Sequence, residues 1–283
     1  PLALKIAATS IRDLYGGNVN HFLASSITLF NGISNLLSQQ LKRLSDLQNQ
    51  VMYWLVIHRE SISLTELHHV FTPSMPKLKL IEILESLVNC NLIERDRYGF
   101  TQQPVVMEYV TERLIKLICQ EIVTDSPQYL LTHALVQAQA KDYIRDSQIQ
   151  LIVQPILQQL KTSLGSTDQL EHKLGRLIAK LQNEAIAISA QENLNVYETR
   201  GLSSLPVNNY GGANLIRLLA HLGTDLTGYD FSGLTIRDCD LRSLNLHRVN
   251  FTRASFRDCL FAATFGGITS VTFSRDGLSL ASS

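Results

Sequence analysis

From Leu226 onward an apolar side chain returns at every fifth position: Leu226, Phe231, Ile236, Leu241, Leu246, Phe251, Phe256 and Phe261. A second apolar register runs two residues ahead of this one, through Tyr229, Leu234, Cys239, Leu244, Val249, Ala254 and Cys259. A helix repeats its faces about every 3.6 residues and a strand about every 2, so neither element explains the pattern. The period is an internal repeat, and it predicts a small solenoid over residues 224–265. Solenoids bind, space and connect other modules and very rarely catalyse. The eight residues of the first register are its expected core, each worth ~1.5–3 kcal/mol when buried. So short a column exposes both ends and must lean on its neighbours; the amphipathic stretch Leu215–Leu222 just before it is the expected cap.

At 283 residues the chain has room for two or three modules. Its 25 basic and 25 acidic residues balance, so there is no overall electrostatic pull toward nucleic acid or anionic lipid. The longest apolar run, Val51–Ile57, is far short of the ~20 residues a membrane span needs. The four cysteines, Cys90, Cys119, Cys239 and Cys259, form no C-x-x-C pair, and no histidine cluster has zinc-like spacing. A reducing cytoplasm is the expected compartment. No initiator methionine or signal segment opens the chain, which reads as part of something longer.

Helical spacing covers residues 1–15 and 19–43, with Gly16-Gly17 as a stop between them. Ser45-Asp46-Leu47-Gln48 has the form of a capping box opening a helix over Leu47–Ile57 that is apolar on one side. A short helix starts at Ser63, and a third, Lys77–Cys90, carries Leu80, Ile83, Leu84, Leu87 and Val88 on one face. Leu92–Arg95, a turn at Asp96–Gly99 and Phe100–Gln102 complete the helix and hairpin order of a winged helix. A long helix is expected over Val105–Ile122. Two or three more should fill Pro127–Ile188, with Gln137, Gln139, Gln148, Gln150, Gln154, Gln158 and Gln159 on solvated outer faces. Tyr197–Tyr210 has the composition of a linker. The last stretch, Ile268–Ser274, alternates like a strand and Leu278–Leu280 begins its return.

The fold class expected is therefore mainly α, followed by a short right-handed β-coil and the start of a further β module. The divisions are 1–43 (helical subdomain), 44–104 (winged helix), 105–200 (helical connector), 201–223 (linker and capping helix), 224–265 (coil) and 266–283 (first strands of the next module). A winged helix can read DNA, but that needs a basic helix and wing. Lys77 and Lys79 are offset by Glu82 and Glu85, and Arg95 and Arg97 by Glu94 and Asp96, so a regulator of transcription is the weaker alternative. His68-His69 lacks acidic or cysteine partners at ligand spacing and reads as a surface or capping pair. No G-x-S-x-G turn and no GxxxxGK[ST] loop is present, so neither a catalytic residue nor a metal site is assigned.

Asp225, Asp230, Asp240, Asn245 and Asn250 precede central apolar residues, and the local pattern A(D/N)LXX resembles the pentapeptide-repeat family. That resemblance implies a coil with four five-residue sides, two turns in all, and Cys239 stacked on Cys259. Pro1-Leu2-Ala3-Leu4-Lys5 is similar to the end of the Gly-Leu-Pro-Leu-Ala motif of NB-ARC nucleotide switches, and Ile268–Leu280 is similar to the opening strands of a WD repeat. With the winged helix and connector between them, the order resembles bacterial STAND-type signalling ATPases with an NB-ARC module, a pentapeptide segment and a WD-repeat propeller. The resemblance implies a nucleotide-dependent signalling protein in which this chain relays between an upstream ATPase core and a downstream propeller. ATP or ADP with Mg would belong to the parent protein, and the chain would have no cofactor or catalysis of its own. Pro1 would lie near the nucleotide, with Gln103 standing where relatives place a phosphate-sensing histidine. Its partners would be the NB-ARC core, the propeller, an unknown effector protein and further copies on activation, with no membrane.

Overall fold

The computed structural model describes residues 29–71, 75–194, 209–261, 271–273 and 280–282, together with residues 8, 11, 12 and 16–19. Pro1 and most of the first expected helix lie outside the described residues, as does the hairpin turn at 274–279. Helix α1 spans Leu29–Leu41. Helix α2, Asp46–His58, opens on the expected capping box: Gln48 N–H donates to Ser45 Oγ (3.3 Å), and Ser45 N–H donates to Gln48 Oε1 (2.8 Å). It is not one-sided, because every residue from Val51 to Ile57 is buried. Helices α4 (Lys77–Asn89) and α5 (Pro104–Thr124) and the aromatic cluster Tyr129, His133 and Tyr210 enclose it all round, as an apolar run without period requires.

Helix α3 (Leu64–Phe71) starts with a second reciprocal cap, Ser63 with Glu66. Strands β1 (Glu94–Arg95) and β2 (Phe100–Thr101) pair antiparallel, and Ile62 bridges to Phe100 on the other side. Pro104 occupies the first turn of α5, where its missing N–H costs nothing. At the other end Asp125 takes a left-handed conformation (φ 56°), and Lys173 and Lys180 donate to the carbonyls of Val123 (2.8 Å) and Asp125 (2.6 Å). Beyond it come α6 (Tyr129–Thr132), α7 (Asp142–Gln148), a π-helical turn (Ile149–Val153), α8 (Gln154–Leu164) ending at Gly165, and α9 (Thr167–Leu194). Residues 133–141 are irregular, where a helix was expected.

Helix α10 spans Gly211–Leu222, so the two glycines are its first turn and no linker. A Cβ on Gly212 would sit 2.6 Å from the Thr235 carbonyl oxygen, which is why the helix can press directly onto the chain that follows. That chain returns upon itself every twenty residues. Strand β3 (Thr235–Arg237) runs parallel to β4 (Ser255–Arg257) in the register Ile236–Phe256, and Asp230 bridges Asn250 as Asp240 bridges Leu260. Corners recur every fifth residue: Gly228, Gly233, Asp238, Arg248, Arg253 and Asp258 all have positive φ. Asp225, Asp230, Asp240, Asn245 and Asn250 each accept the N–H two residues ahead at 2.8–3.3 Å, which gives the Asp/Asn pattern its physical cause. Cys239 and Cys259, one residue before the second bridge, are free thiols in adjacent turns.

Of the eight expected core residues, Leu226, Phe231, Ile236 and Leu241 are buried, while Leu246 and Phe251 are half-buried. Phe256 is 36% exposed and Phe261 54%, a correction to the expectation of a uniform core. The first turn lies between α10 and the second turn; among the described residues the second turn is covered on one side only. The buried residues of the first turn belong to the same contiguous hydrophobic cluster as α1, α2, α4 and α5. Strands β5 (Val271–Phe273) and β6 (Leu280–Ser282) form an antiparallel pair. The described chain is mainly helical, and none of its helices is long and apolar enough to cross a membrane.

Candidate functional site

Residues 130–140, the end of α6 and the irregular stretch after it, thread between α2 and the coil, and most of them are buried. Buried backbone groups need partners, and here side chains from distant elements supply them. Asn214 of α10 serves three: its Nδ2 donates to the Leu130 and His133 carbonyls (both 2.7 Å), and its Oδ1 accepts the Leu135 N–H (2.9 Å). Tyr210 N–H donates to the Leu131 carbonyl (2.8 Å). Ala138 N–H donates to Asp238 Oδ1 at a corner of the coil (2.7 Å), and Arg145 Nη1 donates to the Ala138 and Ala140 carbonyls. Gln148, fully buried, accepts the Gln137 N–H (2.9 Å) and donates to the Ile57 carbonyl at the end of α2 (2.7 Å). His58 Nδ1–H donates to Gln137 Oε1 (3.3 Å). One polar network thus joins α2, the segment, α7, α10 and the coil.

The glutamine face was expected in solvent. Gln139, Gln150, Gln154, Gln158 and Gln159 are exposed, but Gln148 is a buried node and Gln137 half-buried in the same network. Helix α9 adds further ties to the coil: Glu171 accepts the Tyr229 hydroxyl (2.8 Å), and Gln182 donates to the carbonyls of Asp230 and Ser232 (each 3.2 Å).

Where the elements meet lies a cleft of about 350 Å³, lined by Trp54, His58, Glu66, Tyr210, Arg237 and Asp238 among others. Burial pushes the Asp238 carboxyl up to about 6, against the pull of the Ala138 N–H and Arg217. Burial holds the His58 imidazole below its usual value, with the Gln137 bond opposing. Deeper in, His133 stacks on Trp54 with ring centroids 5.2 Å apart, and burial drives its pKa down to about 4, so it is neutral and donates Nε2–H to the Gln50 carbonyl. Arg237 lies over the Tyr210 ring (5.2 Å) and pairs with Asp258 (3.4 Å). The cleft is a junction of aromatic and paired charged groups; no nucleophile is set against a base there.

Gln103 stands at the N-cap of α5, away from this cleft, with its Nε2 donating to Glu94 of β1. Its neighbour Gln102 is the buried one and donates to the Met52 carbonyl (3.1 Å). His68 Nε2 bonds the Met75 carbonyl (3.1 Å), and among the described residues no group of His, Cys, Asp or Glu side chains could hold a metal ion. Lys79 of α4 pairs with Glu82 (3.0 Å), and in the hairpin Arg95 lies over Phe100 and Arg97 over Tyr98, so these three cations are engaged locally. Sequence reasoning missed Asn214, Gln148 and Asp238 as network residues; each binds a segment 79–100 residues away, which leaves no local signature.

No known family profile and no solved structure matches the chain. It is similar to an uncharacterized WD repeat-containing protein of Nostoc sp., 39% identical over 99% of this chain. The chain spans about a quarter (24%) of that relative's length.

Proposed function

We propose that the chain is the relay segment of a larger WD-repeat signalling protein, acting through interactions and not through catalysis. The polar network around residues 130–140 carries this reading: it ties a helical lid to the first turn of the coil through side chains of α7, α10 and the coil itself. In this reading residues 44–104 are a winged-helix lid, residues 224–265 a two-turn pentapeptide coil, and β5 and β6 the opening of a WD-repeat blade. An NB-ARC core upstream holds ATP or ADP with Mg, and a cytoplasmic effector reads the outcome, with self-association on activation. The similarity to a WD repeat-containing protein supports the propeller side; the helix and hairpin order supports the lid.

The shared core changes how such a relay works. Rigid-body switching needs a boundary with few contacts. Lid, connector and first coil turn have one core, so they move together, and the hinge lies outside them. A DNA-binding role gains nothing from the engaged charges of α4 and the hairpin. The relay is tested by spin-label distances between Leu78 on α4 and Arg253 on the second turn, both exposed. One narrow distance distribution is expected; two populations, or a broad one, would overturn the single-body relay.

A further inference from the structure

A second cleft, of about 290 Å³, opens on the other side of Asp238 and Cys239, between α7, α10 and the coil. Arg145, Arg217, His221, Asp240 and Ser243 contribute its polar lining. Arg217 is only 8% exposed. Among the described residues no carboxylate lies within 4 Å of its guanidinium. It makes one long hydrogen bond, from Nη2 to the Asp238 carbonyl (3.4 Å), and lies against the Cys239 thiol; both partners are neutral. The nearby Asp238 carboxylate is engaged with the Ala138 N–H. A buried charge without a direct ion pair is costly, and a guanidinium offers five donors in a plane suited to oxyanions.

The other groups fit the same ligand. Arg145 adds a second guanidinium, held in place by its bonds to the carbonyls of Ala138 and Ala140 and by its ion pair with the exposed Asp142. The one carboxylate in the lining, Asp240, is neutralised by two bonds from Arg242 (2.9 and 2.7 Å). Ser243 adds a hydroxyl at the exposed rim. His221 is held below its usual pKa by burial and then by the Arg217 charge. We propose that this cleft is a binding site for a small oxyanion, a phosphate or carboxylate group, which bridges Arg217 and Arg145 and locks α10 and the coil to α7. The inference stands apart from the relay reading: Arg145 belongs to the network around residues 130–140, but the buried guanidinium that calls for an anion is Arg217, which the relay reading does not use.

The test is a thermal-unfolding titration of the whole chain with inorganic phosphate and, separately, with acetate, each against sodium chloride of equal ionic strength. A ligand bound only by the folded state raises Tm in a saturable way. A saturable rise with either anion is expected, and which anion gives it identifies the source of the ligand group. Arg217→Met should weaken the response about tenfold or more, as loss of a charge-assisted pair implies. Should that variant fail to fold, Ser243→Asp at the exposed rim decides: its own carboxylate occupies or repels the site, so it should fold and lose the response. In the wild type the His221 imidazole, followed by NMR, should titrate at higher pH with the anion bound. No saturable rise with either anion, or an undiminished response in Arg217→Met or in Ser243→Asp, would overturn the site.

Discussion

Asn214 holds three buried backbone groups with one amide, a concentration of hydrogen bonds that makes it the most sensitive residue of the junction. Asn214→Leu keeps the volume but strands all three, and urea unfolding should show a loss on the order of 3 kcal/mol. A loss below about 1 kcal/mol would mean that water or other groups replace the amide. Asp238 and His133 set the pH response. The Asp238 carboxyl is raised from 3.8 to about 6, so its contribution is full below pH 4 and is lost as pH rises through 6. His133 is lowered from 6.5 to about 4, so its contribution is full above pH 6.5 and is lost as pH falls toward 4. The two oppose each other between pH 4 and 6. Asp238→Asn keeps an acceptor for the Ala138 N–H and removes the costly charge. It should be more stable than the wild type at pH 7, on the order of 2 kcal/mol, with the advantage gone by pH 4. An equal advantage at both pH values would show that the carboxylate is better solvated than its burial implies. At this scale the local chemistry was readable: Ser45–Gln48 and the Asp/Asn corners act within three residues of themselves. Asn214, Gln148 and Asp238 were not, because nothing in a short window distinguishes a surface amide from one that caps a distant backbone.

Among the elements, α10 shows most clearly where reading by composition stops. Gly211-Gly212 has the look of a loop, yet both residues are helical: a Cβ on Gly211 would meet the Leu131 and Leu181 side chains, and one on Gly212 the Thr235 carbonyl of β3. Alanine normally favours a helix over glycine by up to ~1 kcal/mol. Gly212→Ala should instead destabilise by ~1–3 kcal/mol, since the rigid Thr235 carbonyl must shift. Gly175→Ala in α9, where a Cβ meets nothing within 4 Å, should stabilise by ~0.5–1 kcal/mol. Melting temperatures of the two variants must therefore move in opposite directions. The period of five was fully legible as a pattern, and its first register is buried from Leu226 to Leu241. Burial within that register depends on what stacks above and below. Leu241→Ala, in the common core, should cost ~2–5 kcal/mol, whereas Phe256→Ala, 36% exposed at the uncovered turn, should cost about 1 kcal/mol. Equal costs would restore the uniform two-turn core that the sequence suggests.

For the whole molecule, module boundaries drawn from composition and element order mark changes of local structure, not gaps in the core. Among the described residues one hydrophobic cluster includes both Leu36 of α1 and Leu241 of the coil, and the network around residues 130–140 crosses the same boundaries. The reason is physical: a two-turn coil cannot bury its own ends, so it borrows a face from α10, which in turn packs on α6, α8 and α9. The described elements from α1 to the first turn of the coil then form one cooperative body, and the proposed relay transmits displacement through it without an internal hinge. The most direct measurement uses the single tryptophan, Trp54 of α2, as a reporter of the lid while the coil is weakened by Leu241→Ala. In urea the Trp54 transition should shift to lower denaturant by the full amount seen in far-UV circular dichroism, with the two curves coincident. A Trp54 midpoint that stays at its wild-type value while the coil unfolds earlier would contradict the single body and return the lid and coil to independent modules.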